Sequence, residues 1–471
     1  MSTVESVVRL IYVGAAACFV LGLHEMNSPA TARRGNLLSA GGMAAAVLAT
    51  VVLLATRGGV TATGWIVLAA GLLAGAGPGL YAARTVAMTA MPQLVSLFNA
   101  VGGGAAALLA AVDLIEHRAA GVSATTAVAG SLDILIGTVT FTGSLVAAGK
   151  LQGWVPGRPL LYSGARAVIA GLAAVLVVGA VWLAADPASV AALAVVLGVA
   201  AVFGVMMVLP IGGADMPVVV SLLNACTGIA VAMAGFAIGN VLLIIAGALV
   251  GASGGILTKL MADAMNRSVF AVLAGGFGTG DAPSPVAGSA SGPVRQTTAE
   301  DAAIQLGYAG KVIIVPGYGL AAAQAQHEIS ELARFLETRG VEVSFAIHPV
   351  AGRMPGHMNV LLADANVPYP QLKDMDEINP EFAHADVALV VGANDVTNPA
   401  ARRPGNAVSG MPILDVDRAR SIIVIKRSMG HGYAGIDNEL YTNPKTAMLF
   451  ADAKNAAVSL LAALKTLAGR R

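Results

Sequence analysis

The sequence is poor in charged residues and has almost no cysteine. Only 12% of its 471 residues are Asp, Glu, Lys or Arg, whereas soluble proteins have about 25%. The two cysteines, Cys18 and Cys226, both lie in apolar stretches, which excludes a disulfide framework and a C-x-x-C metal site. The net charge is +1 and no basic run is interleaved with aromatic residues, so no nucleic-acid partner is expected.

Apolar residues fill the first part of the chain. Hydrophobic residues make up 56% of the sequence, and the mean hydropathy is +0.75. Residues 1–262 are almost continuously apolar, whereas residues 300–471 carry acidic and basic residues at regular intervals. Two such compositions predict two domains in two solvents. We therefore expect a transmembrane domain at 1–262, a linker at 263–299 and a soluble domain at 300–471.

The transmembrane domain is predicted to be a bundle of about nine helices. A spanning helix needs about 20 mostly apolar residues. The first apolar stretch follows Glu5 and lacks an A-x-A-like cleavage site, so we interpret it as a retained helix and not as a signal peptide. The nine stretches lie near residues 7–23, 36–56, 61–82, 91–112, 124–149, 166–185, 188–209, 216–236 and 238–262.

A few polar residues lie inside these apolar stretches. They include Asn99, Ser144 and Asn224, and Asp215 stands in I-G-G-A-D-M-P at the start of a helix. One interpretation is that Asn and Ser hold helices together by hydrogen bonds. The other is that the set holds a water chain for protons, because polar groups at membrane depth mark ion pathways. Asp133 is a further intramembrane carboxylate, unless it lies near the outer surface.

The linker contains a tract of Gly, Pro, Ser and Ala that begins near residue 275. Such a tract cannot pack a core and predicts a mobile tether. A tether fits a domain that changes its docking, and it fits a passive spacer equally well. The composition does not separate these two interpretations.

The soluble domain begins with a strand, a glycine-rich turn and a helix. Lys311–Pro316 is a β-branched run typical of a buried parallel strand. The motif G-x-G-x-x-A follows, with Gly317, Gly319 and Ala322, and then one helix that ends at Gly340. This motif is weak alone, but its place between a strand and a helix favours dinucleotide binding. The glycines would admit a pyrophosphate, and the helix N-terminus would attract it.

Two further strands lead into polar loops. The run 385–391 precedes G-A-N-D-V-T-N-P, and the run 421–425 precedes K-R-S-M-G-H-G-Y-A-G. In open α/β sheets, ligands bind beyond the carboxyl ends of the strands. The three loops are therefore expected at one edge of the sheet.

The phosphorylated nucleotide, NADP, is favoured over NAD. NAD-binding domains carry an acidic residue about 20 residues beyond the glycines, but here the second strand runs into His348 without an acid. Lys426, Arg427 and Ser428 would suit a 2′-phosphate, although a solvated basic loop is the alternative. Asp395 is either a nicotinamide-side group or a loop cap.

The sequence predicts no metal site. His348 and His357 are the histidines that could suggest one, but no further residue completes a ligand set. Ordinary polar loop histidines are the simpler interpretation.

The predicted topology also has an orientation. Nine spans place the two ends of the chain on opposite sides of the membrane, and a nucleotide-binding domain belongs in the cytoplasm. Cationic residues are concentrated in cytoplasmic loops, which agrees with an N-terminus outside. The predicted cytoplasmic loops hold Arg33, Arg34, Arg84, Lys150, Arg158 and Arg166, and the predicted outer loops hold Arg57 and Arg118.

Four long motifs resemble the β subunit of proton-translocating NAD(P) transhydrogenase. They are H-P-V-A-G-R-M-P-G-H-M-N-V-L-L-A from His348, G-A-N-D-V-T-N-P-A-A from Gly392, K-R-S-M-G-H-G-Y-A-G from Lys426 and I-G-G-A-D-M-P-V-V-V from Ile211. The resemblance runs essentially end to end. It implies a Rossmann-like domain that binds NADP(H) in a flipped orientation, under a loop matching Lys426 to Gly435. It also implies hydride transfer between NADH and NADP⁺, coupled to inward proton movement.

The resemblance assigns roles to individual residues. It implies that Asp395 couples protonation to cofactor binding, and that the proton path includes Asn99, Ser144, Asp215 and Asn224. The residues implied to contact NADP(H), besides the glycine motif, are Tyr318, Val350, Ala351, Gly352, Arg353, Met354, Pro355, Gly392, Ala393, Asn394, Asp395, Val396, Lys426, Arg427, Ser428, Met429, Gly430, His431, Gly432, Tyr433, Asp452 and Ala453.

The resemblance also implies partners. NAD(H) would bind a separate α subunit, so this chain alone would not catalyse the full reaction. Some family members carry a channel histidine where this chain has Asn99, and others place it on a small membrane α chain, the kind this sequence resembles. A dimer of such assemblies in lipid, in a bacterial inner membrane, is expected. The rival interpretation is a transporter or channel with a dinucleotide sensor, whereas nine spans exclude a soluble dehydrogenase.

Overall fold

The computed structural model describes most of the chain and divides it into two compact units. The described residues are 3–26, 28–117, 121–157, 159–160, 164–212, 215–265, 268–273, 292–352, 356–404, 406, 408–432 and 434–469, without the side chains of residues 29, 30, 88 and 166. One unit comprises Met1–Ile211 and Val219–Thr258, and the other comprises Gly212–Val218 and Lys259–Arg471.

Nine helices of the described residues are long and apolar enough to cross a membrane. Each predicted apolar stretch falls on one of them, so the predicted helical bundle is confirmed. The sixth and seventh of these helices are separated by residues Asp186–Ser189, and the eighth and ninth by residues Ile238–Asn240. The helices are α1 (Thr3–Glu25), α2 (Pro29–Arg57), α3 (Ala62–Thr85), α4 (Met91–His117), α5 (Ala124–Gln152), α6 (Ala165–Ala185), α7 (Val190–Val208), α8 (Met216–Ala237) and α9 (Val241–Ala264), with a short 3-10 turn at Met88–Ala90.

Small residues bring α4 and α5 into close contact. A Cβ atom on Gly137 of α5 would overlap the carbonyl oxygen of Gly103 on α4. The Ser96 hydroxyl donates to the Ser144 carbonyl oxygen at 2.9 Å across the same interface. Lipid chains are as apolar as the side chains, so the hydrophobic effect does not drive helices together in a membrane. Close packing and hydrogen bonds between helices stabilise their association instead.

Lys150 was predicted to lie in a cytoplasmic loop, but the structure places it in a helix. It belongs to the last turn of α5 and is 5% exposed. Its Nζ donates to the carbonyl oxygens of Leu209 and Ile211, the latter at 2.8 Å. A cation at a helix C-terminus satisfies carbonyls that have no partner within the helix, so Lys150 caps α7.

The second unit contains a parallel six-stranded sheet. Its order is β3-β2-β1-β4-β5-β6, which is the order of doubly wound dinucleotide-binding folds. In the register, Ile314 of β1 lies opposite Phe345 of β2 and Leu389 of β4. This confirms the predicted Rossmann-like domain. The strands are β1 (Lys311–Pro316), β2 (Glu342–Ile347), β3 (Leu372–Asp374), β4 (Val387–Val391), β5 (Ser421–Lys426) and β6 (Thr446–Phe450).

The helix expected after the glycine motif is split in two, so the prediction of one helix is wrong. A short helix ends at Ala322, and Gln324 then adopts a left-handed φ of 49°, which a right-handed helix cannot continue through. The helices of this unit are α10 (Val269–Leu273), α11 (Ala299–Gly307), α12 (Tyr318–Ala322), α13 (Gln326–Thr338), α14 (His357–Asp364), α15 (Met375–Ile378) and α16 (Ala453–Gly469), with short 3-10 turns at Tyr369–Gln371, Asn379–His384, Asp395–Thr397, Pro399–Arg402, Val416–Arg418 and Glu439–Thr442.

The end of the predicted linker joins the sheet. The Met448 N–H donates to the Arg295 carbonyl oxygen at 2.7 Å, and the Thr297 N–H donates to the Met448 carbonyl oxygen at 3.0 Å. Residues 274–291, which include most of the Gly/Pro/Ser/Ala tract, lie outside the described residues. The boundaries 1–262, 263–299 and 300–471 stay a prediction.

Candidate functional site

A cleft opens at the carboxyl ends of β1, β4 and β5. The strand order reverses between β1 and β4, which is the switch point where such sheets bind ligands. The three predicted loops therefore meet at one edge. The lining includes Gly317, Tyr318, Gly319, Val350, Ala351, Gly352, Gly392, Ala393, Asn394, Asp395, Val396, Lys426, Arg427, Ser428, Gly430, His431, Gly432, Asp452 and Ala453.

Some predicted contacts lie elsewhere. Among the described residues, Ala322 and Met429 are exposed and outside the lining. Arg353, Met354, Pro355 and Tyr433 lie outside the described residues. Sequence reasoning missed Met411, Ile425 and Ala451, which also line the cleft. Ile425 and Ala451 stand at or just beyond the carboxyl ends of β5 and β6. The rule that ligands bind beyond these strand ends could therefore have predicted them.

Glycines bring the first two loops into contact. The Gly317 N–H donates to the Val391 carbonyl oxygen at 2.9 Å, and the Gly319 N–H donates to the Gly392 carbonyl oxygen at 2.9 Å. A Cβ atom on Gly319 would lie 2.6 Å from the Cα atom of Gly392. The glycines are therefore required by the contact between loops. Their predicted approach to a pyrophosphate stays a prediction.

The ammonium of Lys426 is held within the third loop. Its Nζ donates to the Gly430 carbonyl oxygen and lies 4.6 Å from the ring centroid of Tyr441. The amide oxygen of Asn394 faces it at 3.3 Å. Burial lowers the pKa of Lys426 below its ordinary value, and the charge of Asp395 opposes that shift. Lys426 thus ties the loop to the end of β4.

Arg427 and Ser428 have a different setting from Lys426. Both side chains are exposed at the mouth of the cleft. The Arg427 guanidinium pairs with no carboxylate among the described residues. A guanidinium carries five donors and always keeps its charge. Arg427 is therefore the cation of this loop that is available to an anionic ligand.

Asp395 fixes the far side of the same loop. Its Oδ2 accepts a hydrogen bond from the Ala434 N–H at 3.1 Å. The space that a Cβ atom on Gly432 would occupy is filled by the Asp395 carboxylate. The loop can approach Asp395 this closely only because residue 432 is a glycine.

Two residues that sequence reasoning missed connect the second and third loops. The Tyr441 hydroxyl donates to the Ala393 carbonyl oxygen at 3.2 Å and accepts from the Asn394 amide at 2.9 Å. Asn438 donates to the Asn394 carbonyl oxygen at 2.9 Å. Burial raises the pKa of Tyr441, so the hydroxyl keeps its proton. No sequence motif marks these two residues, because their contacts with the second loop form only when the chain folds.

His348 is a structural residue at the end of β2. It is 1% exposed, its Nε2 donates to the Pro412 carbonyl oxygen at 2.8 Å, and its Nδ1 accepts from the Val350 N–H at 3.2 Å. Burial lowers its pKa to about 4. The ring is neutral, and both of its nitrogens are hydrogen-bonded within the protein.

The buried His348 makes this unit less stable in acid. Above pH 6.5 the ring is neutral in both the folded and unfolded states, so it contributes no pH dependence. Because its pKa falls from 6.5 to about 4 on folding, acid protonates the unfolded state first. Stability is then lost between pH 6.5 and 4, by up to about 3 kcal/mol.

Hydrogen exchange of β2 peptides in the full chain, measured across this pH range, checks the expectation. His348→Gln should flatten the dependence, because an amide does not titrate. His327→Gln is the control, since that ring lies at the surface with 61% of the side chain exposed. Equal pH dependence in His348→Gln and in the unmodified chain would contradict the assignment.

In the membrane unit, Asn99 and Asn224 share an interface. Asn99 is 4% exposed, and its side chain donates to the Val220 carbonyl oxygen at 3.2 Å. The Thr227 hydroxyl donates to the Asn99 carbonyl oxygen at 3.3 Å. Residues 220, 224 and 227 share one helix face, so Asn224 lies on the face of α8 turned toward α4.

The other two predicted path residues are also buried. Ser144 is 0% exposed, and its hydroxyl oxygen has no hydrogen-bond partner among the described residues. Asp215 is 7% exposed and directly precedes α8, where its carbonyl oxygen accepts from the Val218 N–H at 3.1 Å. A buried polar side chain such as Ser144 in a predominantly apolar bundle is costly unless it has a function.

The sheet order, the cleft at its switch point and the long apolar helices define a membrane protein with a Rossmann-like domain. The chain belongs to the NAD(P) transhydrogenase beta subunit family, whose profile matches residues 8–463. Two sequences from Rhodospirillum rubrum, both named NAD(P) transhydrogenase subunit beta, are each 48% identical to it over 469 residues. Those alignments cover 98% of this chain and 99% of each relative.

Proposed function

We propose that this chain is the NADP(H)-binding subunit of a transhydrogenase that couples hydride transfer between NADH and NADP⁺ to proton translocation. The observation that carries the proposal is the exposed guanidinium of Arg427, beside Ser428, at the mouth of the cleft. A phosphate pairs well with such a group. The position after β2, where NAD-binding domains carry an acid, is held by the buried His348.

The residues of the cleft have separate tasks in this proposal. Arg427 and Ser428 bind the 2′-phosphate, Lys426 and Asp395 hold the loop over the cofactor, and the glycine motif with residues 350–355, 392–396, 426–433 and 452–453 surrounds it. The nicotinamide supplies the hydride chemistry, so the protein needs no acid or base for that step. Its contribution is orientation and the exclusion of water.

The position of the third loop depends on Gly432. Gly432→Ala places a methyl group where the Asp395 carboxylate lies, so the loop must move and lose the bond between Asp395 and Ala434. Losing a hydrogen bond to a charged group costs about 1.5–3 kcal/mol, so NADPH affinity should fall roughly 10- to 150-fold.

Fluorescence titration of the full chain with NADPH measures this change. Gly469→Ala is the matched control, since a Cβ atom there meets nothing within 4 Å. Unchanged affinity in Gly432→Ala would show that the loop does not close over NADPH through Asp395.

The proton path is proposed to include Asn99, Ser144, Asp215 and Asn224. Moving one charge across 100 mV is worth about 2.3 kcal/mol. That energy biases a domain between states that hold NADP(H) weakly or tightly, provided that protonation differs between them. Asp395, in the loop over the cofactor, is the residue proposed to link protonation with NADP(H) binding.

The proposed assembly places NAD(H) on a separate α subunit. The relatives are named subunit beta, which supports a complex with an α partner. A small membrane α chain would supply the channel histidine that Asn99 replaces, and two such assemblies would form a dimer. We place the chain in a bacterial inner membrane with its N-terminus outside and its C-terminal domain in the cytoplasm. An odd number of spans and the cationic residues at the cytoplasmic ends support this orientation.

Reconstitution with α subunits tests the proposal. Vesicles that hold the complex should show hydride transfer from NADH to NADP⁺ and proton movement together. The chain without its partners should bind NADPH and catalyse no transfer. A purified chain that bound NADH as firmly as NADPH would overturn the assignment.

A further inference from the structure

Asp133 is a buried carboxylate to which the proposed function gives no role. It lies on α5, nine residues after the first residue of the helix, which places it about 14 Å along the axis. Its side chain is 0% exposed, and neither carboxylate oxygen has a hydrogen-bond partner among the described residues.

No described residue pairs with Asp133 as a countercharge. The adjacent Ile134 belongs to an apolar cluster with Leu114 of α4, Leu183 of α6 and Val196 of α7. On α4, Asp113 and His117 pair with each other at 3.2 Å near the helix end. The remaining titratable residues on α5 and on the helices packed against it are Glu116 of α4, Lys150 of α5, Arg166 of α6 and Cys226 of α8.

An ionised carboxylate in this position is unfavourable. Burying a charge without a partner costs several kcal/mol even after the protein relaxes. Among the described residues, no group of three His, Cys, Asp or Glu side chains could hold a metal ion. The charge of the carboxylate is therefore neutralised most simply by a proton.

Asp133 continues the row of polar side chains on α5. Residues 133, 140 and 144 recur at spacings of seven and four, which places Asp133, Thr140 and Ser144 on one helix face. That face packs on α4, where Gly137 contacts Gly103 and Ser96 bonds to Ser144. Asp133 is the member of the row nearest the N-terminal end of α5.

A hollow opens beside that end of the row. It lies between α5 and α8, has a volume of about 460 Å³, and is lined in part by Ala129, Leu132 and Phe236. Ala129 precedes Asp133 by one helical turn on the same face. In the proposed orientation this end of α5 faces the outside. The lining residues are apolar apart from Thr125 and do not include Asp133, so about 14 Å of helix separates Asp133 from the outer end of α5.

We propose that Asp133 is a proton-binding site of the membrane domain, between the outer end of α5 and the polar row at Thr140 and Ser144. The carboxylate takes a proton from the outer aqueous phase to form an O–H bond. It then releases that proton toward the row, so charge balances without a further reactant. This inference rests on the proposed proton translocation and orientation.

Chemical labelling of the full chain in membranes tests protonation directly. Dicyclohexylcarbodiimide takes the proton of a carboxylic acid onto its nitrogen, and the carboxylate oxygen then adds to its central carbon. Rearrangement leaves a stable N-acylurea on the side chain. Mass spectrometry should find this adduct on Asp133 and not on the exposed Glu116. An unlabelled Asp133 overturns the proposal, and this result does not depend on any variant folding.

Transport assays on the complex with its α subunits test the function of the site. Asp133→Asn should lower proton uptake at least tenfold, while the Kd for NADPH stays within about twofold of that of the unmodified chain. Asp133→Glu should restore much of the uptake, because it restores the acid. Glu116→Gln is the control and should transport normally.

The outcomes separate the two proposals. An unmodified complex that transfers hydride without moving protons overturns the proposed function. An unmodified complex that moves protons, together with Asp133→Asn that moves them equally well, overturns the role of Asp133 alone. Reduced uptake in Asp133→Asn with rescue by Asp133→Glu supports it.

Discussion

Arg427→Ala should weaken NADPH binding about 100-fold and leave NADH binding unchanged. The guanidinium is exposed at the mouth of the cleft and pairs with no described carboxylate, so its donors are available to the 2′-phosphate. A hydrogen bond to a charged group contributes about 1.5–3 kcal/mol, and about 2.7 kcal/mol corresponds to a factor of 100. NADH lacks the 2′-phosphate, so its affinity should not change. Equilibrium titration of the full chain with each nucleotide measures the ratio.

The matched control for Arg427 lies at the other end of the same strand. Arg420 precedes β5, is 75% exposed and pairs with Asp386 at 2.9 Å. Surface pairs of this kind contribute little to stability, so Arg420→Ala should bind both nucleotides normally. Equal loss of NADPH and NADH affinity in Arg427→Ala would show that the guanidinium acts on the fold of the loop and not on the phosphate.

Lys426→Ala should behave differently from Arg427→Ala. The Lys426 ammonium is engaged by Gly430 and Tyr441 within the protein, so its loss loosens the loop itself. We therefore expect weaker binding of both nucleotides, with a smaller change in their ratio. If the double variant Lys426→Ala and Arg427→Ala had the same NADPH and NADH affinities as Arg427→Ala, Lys426 would have no part in closing the loop.

Asn99→Leu should slow coupled proton transport at least about tenfold while NADPH binding stays intact. The two side chains have similar volumes, but leucine removes the amide that donates to Val220 at 3.2 Å between α4 and α8. Breaking one link of a proton relay should slow proton movement at least about tenfold, since about 1.4 kcal/mol in a barrier is a factor of ten. Proton uptake by vesicles that hold the complex measures the loss, and nucleotide titration measures the site that should be unaffected.

The control for Asn99 is a lipid-facing position on the same helix. Val101 is 67% exposed, so Val101→Leu should transport protons normally. Full proton uptake in Asn99→Leu would contradict the proposed path. Loss of NADPH binding in Asn99→Leu would instead contradict the division of labour between the two domains.

The sequence was sufficient for the architecture because its signals are local. About 20 consecutive apolar residues can satisfy their backbone in lipid only as a helix, so the nine spans were readable without tertiary information. The strand runs before the loops that start at Gly317, Gly392 and Lys426 were equally clear. Ligands bind at the carboxyl edge of a parallel sheet, so the meeting of these three loops also followed from the sequence.

Contacts between distant residues were not readable in this way. Lys150 was assigned to a loop because the predicted span ended at residue 149, yet it lies in α5 and donates to two carbonyl oxygens that follow α7. Lys426 and Arg427 are adjacent and chemically alike, and only the folded loop shows that the first is engaged and the second is exposed. The helix after Gly319 breaks at the left-handed φ of Gln324. No glycine or proline at that position predicted the break.

The sequence by itself determined which solvent each half of this chain occupies and which edge of the sheet carries its polar loops. Both depend on the order of apolar and polar residues along the backbone. Only the tertiary structure decided which cation faces the cleft, which glycines permit loop contacts and that Asp133 is fully buried. Those properties depend on residues brought together from separate helices and strands, and hydrogen bonding and burial are fixed only when these elements pack.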